Sequence, residues 1–416
     1  LEDLKLIFSI NEEFFDLNSI TGKINDISIK KGNLLIQRQP NIKIEGEVFS
    51  EANLDEKKLR DIIKEKKFHK ILENKIATSI KANNKIFAEF DKTLKIKTYN
   101  FETLGEIGEA RILFKQPISN RLLSEEIRLM KLKKSSFKFS KKNNSDSKYF
   151  LSGEYSFDEN KFNKFRLESS GNKSNNFYNL DIDFSNKINI EIINYFKEKG
   201  SLANLKINLI ISKNFINIKD LLIKESKNLI EVKNLKINKK NNLKSFEKIK
   251  IVTNNKNKEN NNFEINFNKK IEIKGKNFDS ANLLKSLNKN NNSNNLKDIS
   301  SDIEIKIKSV HTEMTEEIKN FYLIGKLDKG KFSKISSKGE FSNGKYLDIS
   351  MKNDKSSKKK FLEIYSDIQE PVLSNFSFFK SINGGNLLFN SVILVRTCDI
   401  SRKKPSFSSG VAPLLL

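Results

Sequence analysis

Apolar and polar residues alternate along most of this chain with the two-residue period of a half-buried β-strand. Ile303–Lys308 (IEIKIK) is the cleanest case, with Ile303, Ile305 and Ile307 on one side and Glu304, Lys306 and Lys308 on the other. Leu205–Ile211 (LKINLII) and Phe263–Phe267 (FEINF) read the same way. Comparable runs follow one another from Leu4 to Phe49, punctuated by Gly22, Gly32 and Pro40, and resume from Lys85 to Met351. Roughly two dozen strands are predicted. Asn343-Gly344 joins two of them and is a strong hairpin signal.

Only three segments carry a helical period. The longest is 54–76, where Leu59, Ile62 and Ile63 share a face while Phe68, Ile71 and Leu72 drift round it. A kinked helix or two short ones fits that drift as well as one straight rod. A second segment lies near 278–288. The third, Pro371–Ile382, places Val372, Leu373, Phe376, Phe379 and Ile382 at helical spacings. Pro371 suits a first turn, and Asn383-Gly384-Gly385 stops the helix because glycine reaches positive φ at little cost.

Lys- and Asn-rich tracts at 141–148, 239–244, 254–262, 288–298 and 353–360 separate the strands and are predicted to be turns and solvated loops. They recur without a fixed period, which argues against a β-helix or a propeller. From Arg396 the composition changes: Pro405, Pro413 and the single cysteine, Cys398, fall there. The expectation for 396–416 is a poorly ordered tail, either non-native coding or a natural flexible end.

The predicted fold class is mainly β. An antiparallel sheet with one apolar face must cover that face, and three short helices are too few to do so. The sheet could fold on itself as a sandwich, close as a barrel, or curl into an open trough completed by a ligand. Alternation by itself favours the sandwich. Alkyl chains would suit a trough, since each buried CH₂ contributes ~0.8 kcal/mol whatever its neighbour.

Composition narrows the function classes. A 37% hydrophobic content supports ordered structure over 416 residues. The net charge of +25 invites a nucleic-acid reading, yet it rests on 69 Lys and only eight Arg. Readers of bases and phosphates favour Arg for its bidentate fork. Lys, Asn and Ile, all with AT-rich codons, dominate together. The basic excess therefore reads as compositional bias, with a functional surface facing anionic lipid or nucleic acid as the alternative.

No chemistry-bearing constellation stands out. His69 and His311 lack a second His or Cys at ligand spacing, and one cysteine excludes an intramolecular disulfide framework. Glu12-Glu13, Glu125-Glu126 and Glu316-Glu317 read as solvated faces. No phosphate-binding loop or nucleophile elbow is present. No enzyme activity, metal or cofactor is expected. No apolar run reaches the length of a membrane-spanning helix. The chain begins at Leu1 in a strand-like run with no visible signal peptide, and the expectation is a fragment whose anchor lies upstream.

Four stretches carry a family resemblance. Phe361–Ser366, the Pro371–Ile382 segment, Gly384-Gly385 and Asn386–Val395 form a strand, short helix, Gly-Gly, strand unit. It resembles the C-terminal region of AsmA-like proteins, the YhdP branch in particular. Lys274-Gly275-Lys276-Asn277-Phe278-Asp279 leading into Ala281–Leu287 is similar to a recurrent step of that family. Lys329–Lys352 resembles its paired Gly-punctuated strands, and Asn53–Ile76 its early inserted helix.

The resemblance implies a long, curled antiparallel β-groove, with 1–273 as groove and 274–395 as the AsmA-like C-terminal region. It implies a periplasmic protein anchored in the bacterial inner membrane that carries phospholipid toward the outer membrane. Scaffolding of outer-membrane protein assembly, as for TamB-like relatives, is the alternative, and a basic nucleic-acid-binding β protein is a third reading. Phospholipid is the implied partner, with outer-membrane components beside it and no nucleic acid. The groove candidates are Leu205, Ile207, Leu209, Ile211, Phe263, Ile265, Phe267, Ile303, Ile305 and Ile307. Plain core packing is the other reading of the same side chains.

Overall fold

The computed structural model describes residues 2–38, 40–62, 71–119, 125–143, 147–158, 161–171, 174–283, 295–312, 317–341, 344–354, 359–369 and 385–394. The predicted helix at 371–382 and the tail at 396–416 lie outside them, as do His69, Glu316 and all of 284–288. The described chain is mainly β and divides into two units: Leu1–Lys187 with Glu198–Lys213, and Ile188–Lys197 with Asn214–Leu416. The boundary expected at 273/274 falls inside a strand of the second unit. Among the described residues no helix is long and apolar enough to cross a membrane.

The first unit is a meander of β1 (Glu2–Ile10), β2 (Phe14–Ile24), β3 (Ile27–Gln37), β4 (Ile42–Asp55), β5 (Lys75–Phe90), β6 (Ile96–Ile118), β7 (Ile127–Lys142), β8 (Ser147–Phe157), β9 (Asn163–Gly171) and β10 (Asn175–Phe184). The chain then supplies β11 (Ile188–Ile190) and β12 (Tyr195–Lys197) to the second unit before returning as β13 (Ala203–Ser212). Each strand from β1 to β10 pairs antiparallel with the next, and β13 pairs with β10. Among the described residues β1 pairs only with β2, so this sheet does not close into a barrel.

The helix predicted over 54–76 is replaced at both ends by strand. Leu54 and Asp55 finish β4, and Lys75 and Ile76 open β5, pairing across from Leu113 and Ile112. What remains is α1 (Glu56–Ile62) and a 3-10 turn at Ile71–Glu73, with 63–70 outside the described residues. Asp55 caps α1 by accepting from the Lys57 and Lys58 amides at 3.0 and 2.9 Å. Pairing of β4 with β5 and of β5 with β6 supplies backbone partners at these ends, so it overrides the local helical period.

The second unit runs β14 (Phe215–Glu225), β15 (Asn228–Asn238), β16 (Leu243–Ser245), β17 (Lys248–Asn255), β18 (Lys258–Phe267), β19 (Ile271–Asp279), β20 (Ser301–His311), β21 (Glu317–Asp328), β22 (Lys331–Glu340), β23 (Tyr346–Asp354), β24 (Lys359–Ser366) and β25 (Leu387–Leu394). All its neighbours pair antiparallel except β19 and β20, which run parallel. A parallel pair needs a long crossover, and residues 280–300 supply it. β22 and β23 form the antiparallel pair expected on either side of Gly344 (φ +73°).

Candidate apolar binding face

Register places the alternating residues of the first unit on two chemically distinct faces. One row runs directly across the strands from Ser50 through Ala82, Gly105, Phe137, Leu151, Leu167 and Leu180 to Ile207. The next runs through Val48, Asn84, Thr103, Phe139, Tyr149, Ser169, Tyr178 and Leu209. The opposite face carries cross-strand ion pairs, Lys81–Glu51 at 3.3 Å, Lys85–Glu47 at 3.5 Å, Lys138–Glu102 at 2.8 Å and Lys206–Asp181 at 3.0 Å, beside exposed Phe49, Leu104 and Phe177. These four lysines are thus matched to carboxylates on neighbouring strands.

The apolar face is not sealed. Phe137, Leu151, Leu167, Leu180 and Ile207 are all half-buried, and Ile86 and Ile96 are 43% and 60% exposed. The buried large apolar residues of this unit gather at one end of the strands: Leu54, Ile76, Ile127, Leu132, Tyr155 and Phe184. Leu72 of the 3-10 turn is buried beside them, its carbonyl accepting from the Arg60 guanidinium of α1. Tyr155 is 1% exposed, and its hydroxyl donates to the Asp183 carbonyl at 2.7 Å, which satisfies the one polar atom buried with the ring. Burial pushes its phenol well above the ordinary range. The α1 insertion thus lies with the closed end of the face, and the rest of the face has no cover among the described residues.

The second unit treats the same alternation differently. Its rows run Ile230, Ile251, Phe263, Gly275, Ile307, Phe321 and Ile249, Ile265, Ile273, Ile305, Leu323, Ser337, Ile349, Ile364. A third joins Phe267, Ile271, Ile303, Gly325, Ile335, Met351 and Leu362. Ile335, Leu323, Leu327 and Ile307 are 1–4% exposed within one continuous cluster that also takes in Ile193 and Tyr195.

The sequence candidates therefore separate. Leu205, Ile207, Leu209 and Ile211 share the open face of β13 in the first unit and are half-buried. Phe263, Ile303 and Ile307 are buried in the second unit's cluster, with Ile265, Phe267 and Ile305 packed against it. Pattern reasoning missed Phe137, Leu151, Leu167 and Leu180 as members of the open row. Their period-2 signal was visible, but only register shows that they lie side by side.

One expectation is overturned outright. The Asn-rich tract 254–262, predicted as a solvated loop, contains the start of β18, and Asn260 and Asn261 are 8% and 0% exposed. Asn261 Nδ2 donates to the Ile193 carbonyl at 2.6 Å and to Thr253 Oγ1 at 2.8 Å, while its Oδ1 accepts from the Asp279 amide at 2.9 Å. Asn260 Nδ2 donates to Asp279 Oδ2 at 3.0 Å, and Asn194, in the left-handed conformation that asparagine tolerates, donates to the same oxygen at 2.8 Å. Asparagine offers both donor and acceptor, so a satisfied network can carry it inside, which composition alone does not reveal.

His311 ends β20 opposite Glu317. Comparison of the chain with known proteins gives no match to a family model, to a curated protein or to a solved structure.

Proposed function

We propose that the open face of the first unit binds the alkyl chains of phospholipid, and that the chain is part of a bridge-like lipid carrier of the bacterial periplasm. The observation that carries this reading is the half-buried row from Gly105 to Ile207, which crosses adjacent strands without a protein cover among the described residues. Covering it is favourable at roughly 25 cal/mol per Å² of apolar surface. Along the row from Phe137 to Ile207 the apolar contacts repeat from strand to strand, so a chain can shift along them. The resemblance to AsmA-like proteins adds the compartment, the inner-membrane anchor and the outer-membrane destination. On this reading Leu205, Ile207, Leu209 and Ile211 touch lipid, while the second-unit candidates hold that unit together.

Photoreactive benzoylphenylalanine at Phe137 or Tyr178, both on the open face, tests the proposal against the same label at buried Phe263. Phospholipid adducts at the first two positions and none at the third are expected. Label found only on the protein's own residues at all three would overturn it.

A further inference from the structure

The apolar face of the first unit has two unlike ends. On four of the six strands running toward the open end, the alternation passes from apolar residues straight to a cation, while on β1 the same spacing past Ile10 gives Glu12. The four are Leu34-x-Ile36-x-Arg38 on β3, Ala88-x-Phe90-x-Lys92 on β5, Phe137-x-Phe139-x-Lys141 on β7 and Leu209-x-Ile211-x-Lys213 on β13. Lys141 pairs in register with Phe101, within the apolar rows, and Arg38, Lys92 and Lys213 are exposed just past their strand ends.

Strands running the other way end differently. Leu54 is followed at the same spacing by Glu56, Ile24 by Asp26 and Phe184 by Asn186, and inside β6 Phe114 is followed by Gln116. That is also the end where Leu54, Ile76, Leu132 and Tyr155 are buried.

We infer that the bound amphiphile is a phospholipid of net negative headgroup, lying along the strands with that headgroup at the Arg38–Lys92–Lys141–Lys213 rim and its chains pointing to the closed end. This rests on the phospholipid reading above and adds its orientation and headgroup class. Lengths agree. From Lys141 back to Leu132 is about 30 Å at ~3.3 Å per residue, and one leaflet's chains fill about 15 Å, half of the ~30 Å hydrocarbon core. A chain anchored at the rim therefore ends over the open Phe137–Leu151 row and stops short of sealed Leu132 and Tyr155.

The test incubates the full chain with vesicles of equal phosphatidylglycerol and phosphatidylcholine carrying identical acyl chains, then measures retained lipid by mass spectrometry. The R38E/K92E/K213E variant alters the rim, and K57E/K75E/K115E makes the same net-charge change at the closed end. Wild type is expected to retain the anionic lipid in excess by on the order of fivefold, the equivalent of about 1 kcal/mol for a cation near an anionic headgroup. The rim variant loses that excess while keeping total lipid, and the closed-end variant retains it. An excess that survives in the rim variant, or that both variants lose alike, overturns the inference. Lipid retained by wild type with no headgroup preference defeats the inference alone. No retained lipid defeats the phospholipid reading and the inference with it.

Discussion

Phe137 fills the space that Gly105 leaves empty on the neighbouring strand. The two are direct register partners, and a Cβ added to Gly105 would collide with the Phe137 ring and lie 2.6 Å from the Lys81 carbonyl. Glycine in a strand interior weakens it unless something packs over the gap, and here an aromatic ring does so on the open face.

Gly105→Ala should therefore destabilise the first unit by about 1–3 kcal/mol, the usual cost of overpacking. In a Phe137→Ala background the same substitution should cost less, though not nothing, because the Lys81 carbonyl stays in place. Urea melts of the four variants in a double-mutant cycle measure this coupling. Equal costs in both backgrounds would show that the ring does not occupy the gap.

The two units should respond unequally to the loss of an apolar side chain. Ile335, 1% exposed, sits between Gly325 and Met351, and Ile335→Ala should cost about 2–5 kcal/mol. Ile207 is half-buried, so Ile207→Ala should cost nearer 1 kcal/mol, in proportion to the area it hides from water. Saturating phospholipid should protect amides of β7–β10 from hydrogen exchange and leave β20–β23 unchanged, since a ligand stabilises only what binds it. Matching protection in both sets would contradict a lipid site confined to the first unit.

Asn261 links three elements: β17 through Thr253, β19 through the Asp279 amide, and the Glu191–Ile193 turn through the Ile193 carbonyl. Asn261→Leu keeps the volume but orphans those groups, each at a cost of about 1–3 kcal/mol when left buried and unpaired. Amides of residues 188–197 should lose hydrogen-exchange protection before those of β20–β22 do. Unchanged protection at 188–197 would mean that apolar contacts through Ile193 and Tyr195 suffice to hold that segment.

Much of the architecture was legible from Ile303-Glu304-Ile305 and its like, because a period of two leaves few alternatives to a strand. What the period cannot report is who lies opposite whom. Ile207 and Ile305 read alike in sequence, yet one shares an open row with Leu180 and the other packs against a sealed cluster. The parallel pairing of β19 with β20 was equally hidden, since alternation carries no strand direction. Asn260 and Asn261 were misread as solvent-facing because residue preference was weighed without the partners that satisfy them. The cations two places beyond Ile36, Phe90, Phe139 and Ile211 were present in the sequence throughout. They gained meaning only once register placed them at one end of one face.

The parallel pair also sets up an acid-sensitive contact. Register puts Glu272 directly beside Glu304, a like-charge arrangement that Lys270 relieves by reaching both, at 2.9 and 2.5 Å. Hydrogen bonds from the Lys270 and then the Lys306 ammonium hold the Glu304 carboxyl down to about 2 from an ordinary 4.5. The folded value is the lower one, so ionised Glu304 favours the folded second unit above pH 4.5, and that contribution disappears as pH falls toward 2. Carboxyl carbon shifts should show Glu304 titrating last among the glutamates. Lys270→Met should raise its midpoint and lower the unit's thermal stability at neutral pH, with the deficit shrinking once both glutamates are protonated. Added salt should narrow the same deficit, because these side chains are screened by solvent. A Glu304 midpoint near 4.5 in the unsubstituted chain would show that Lys270 does not bridge the two strands in solution.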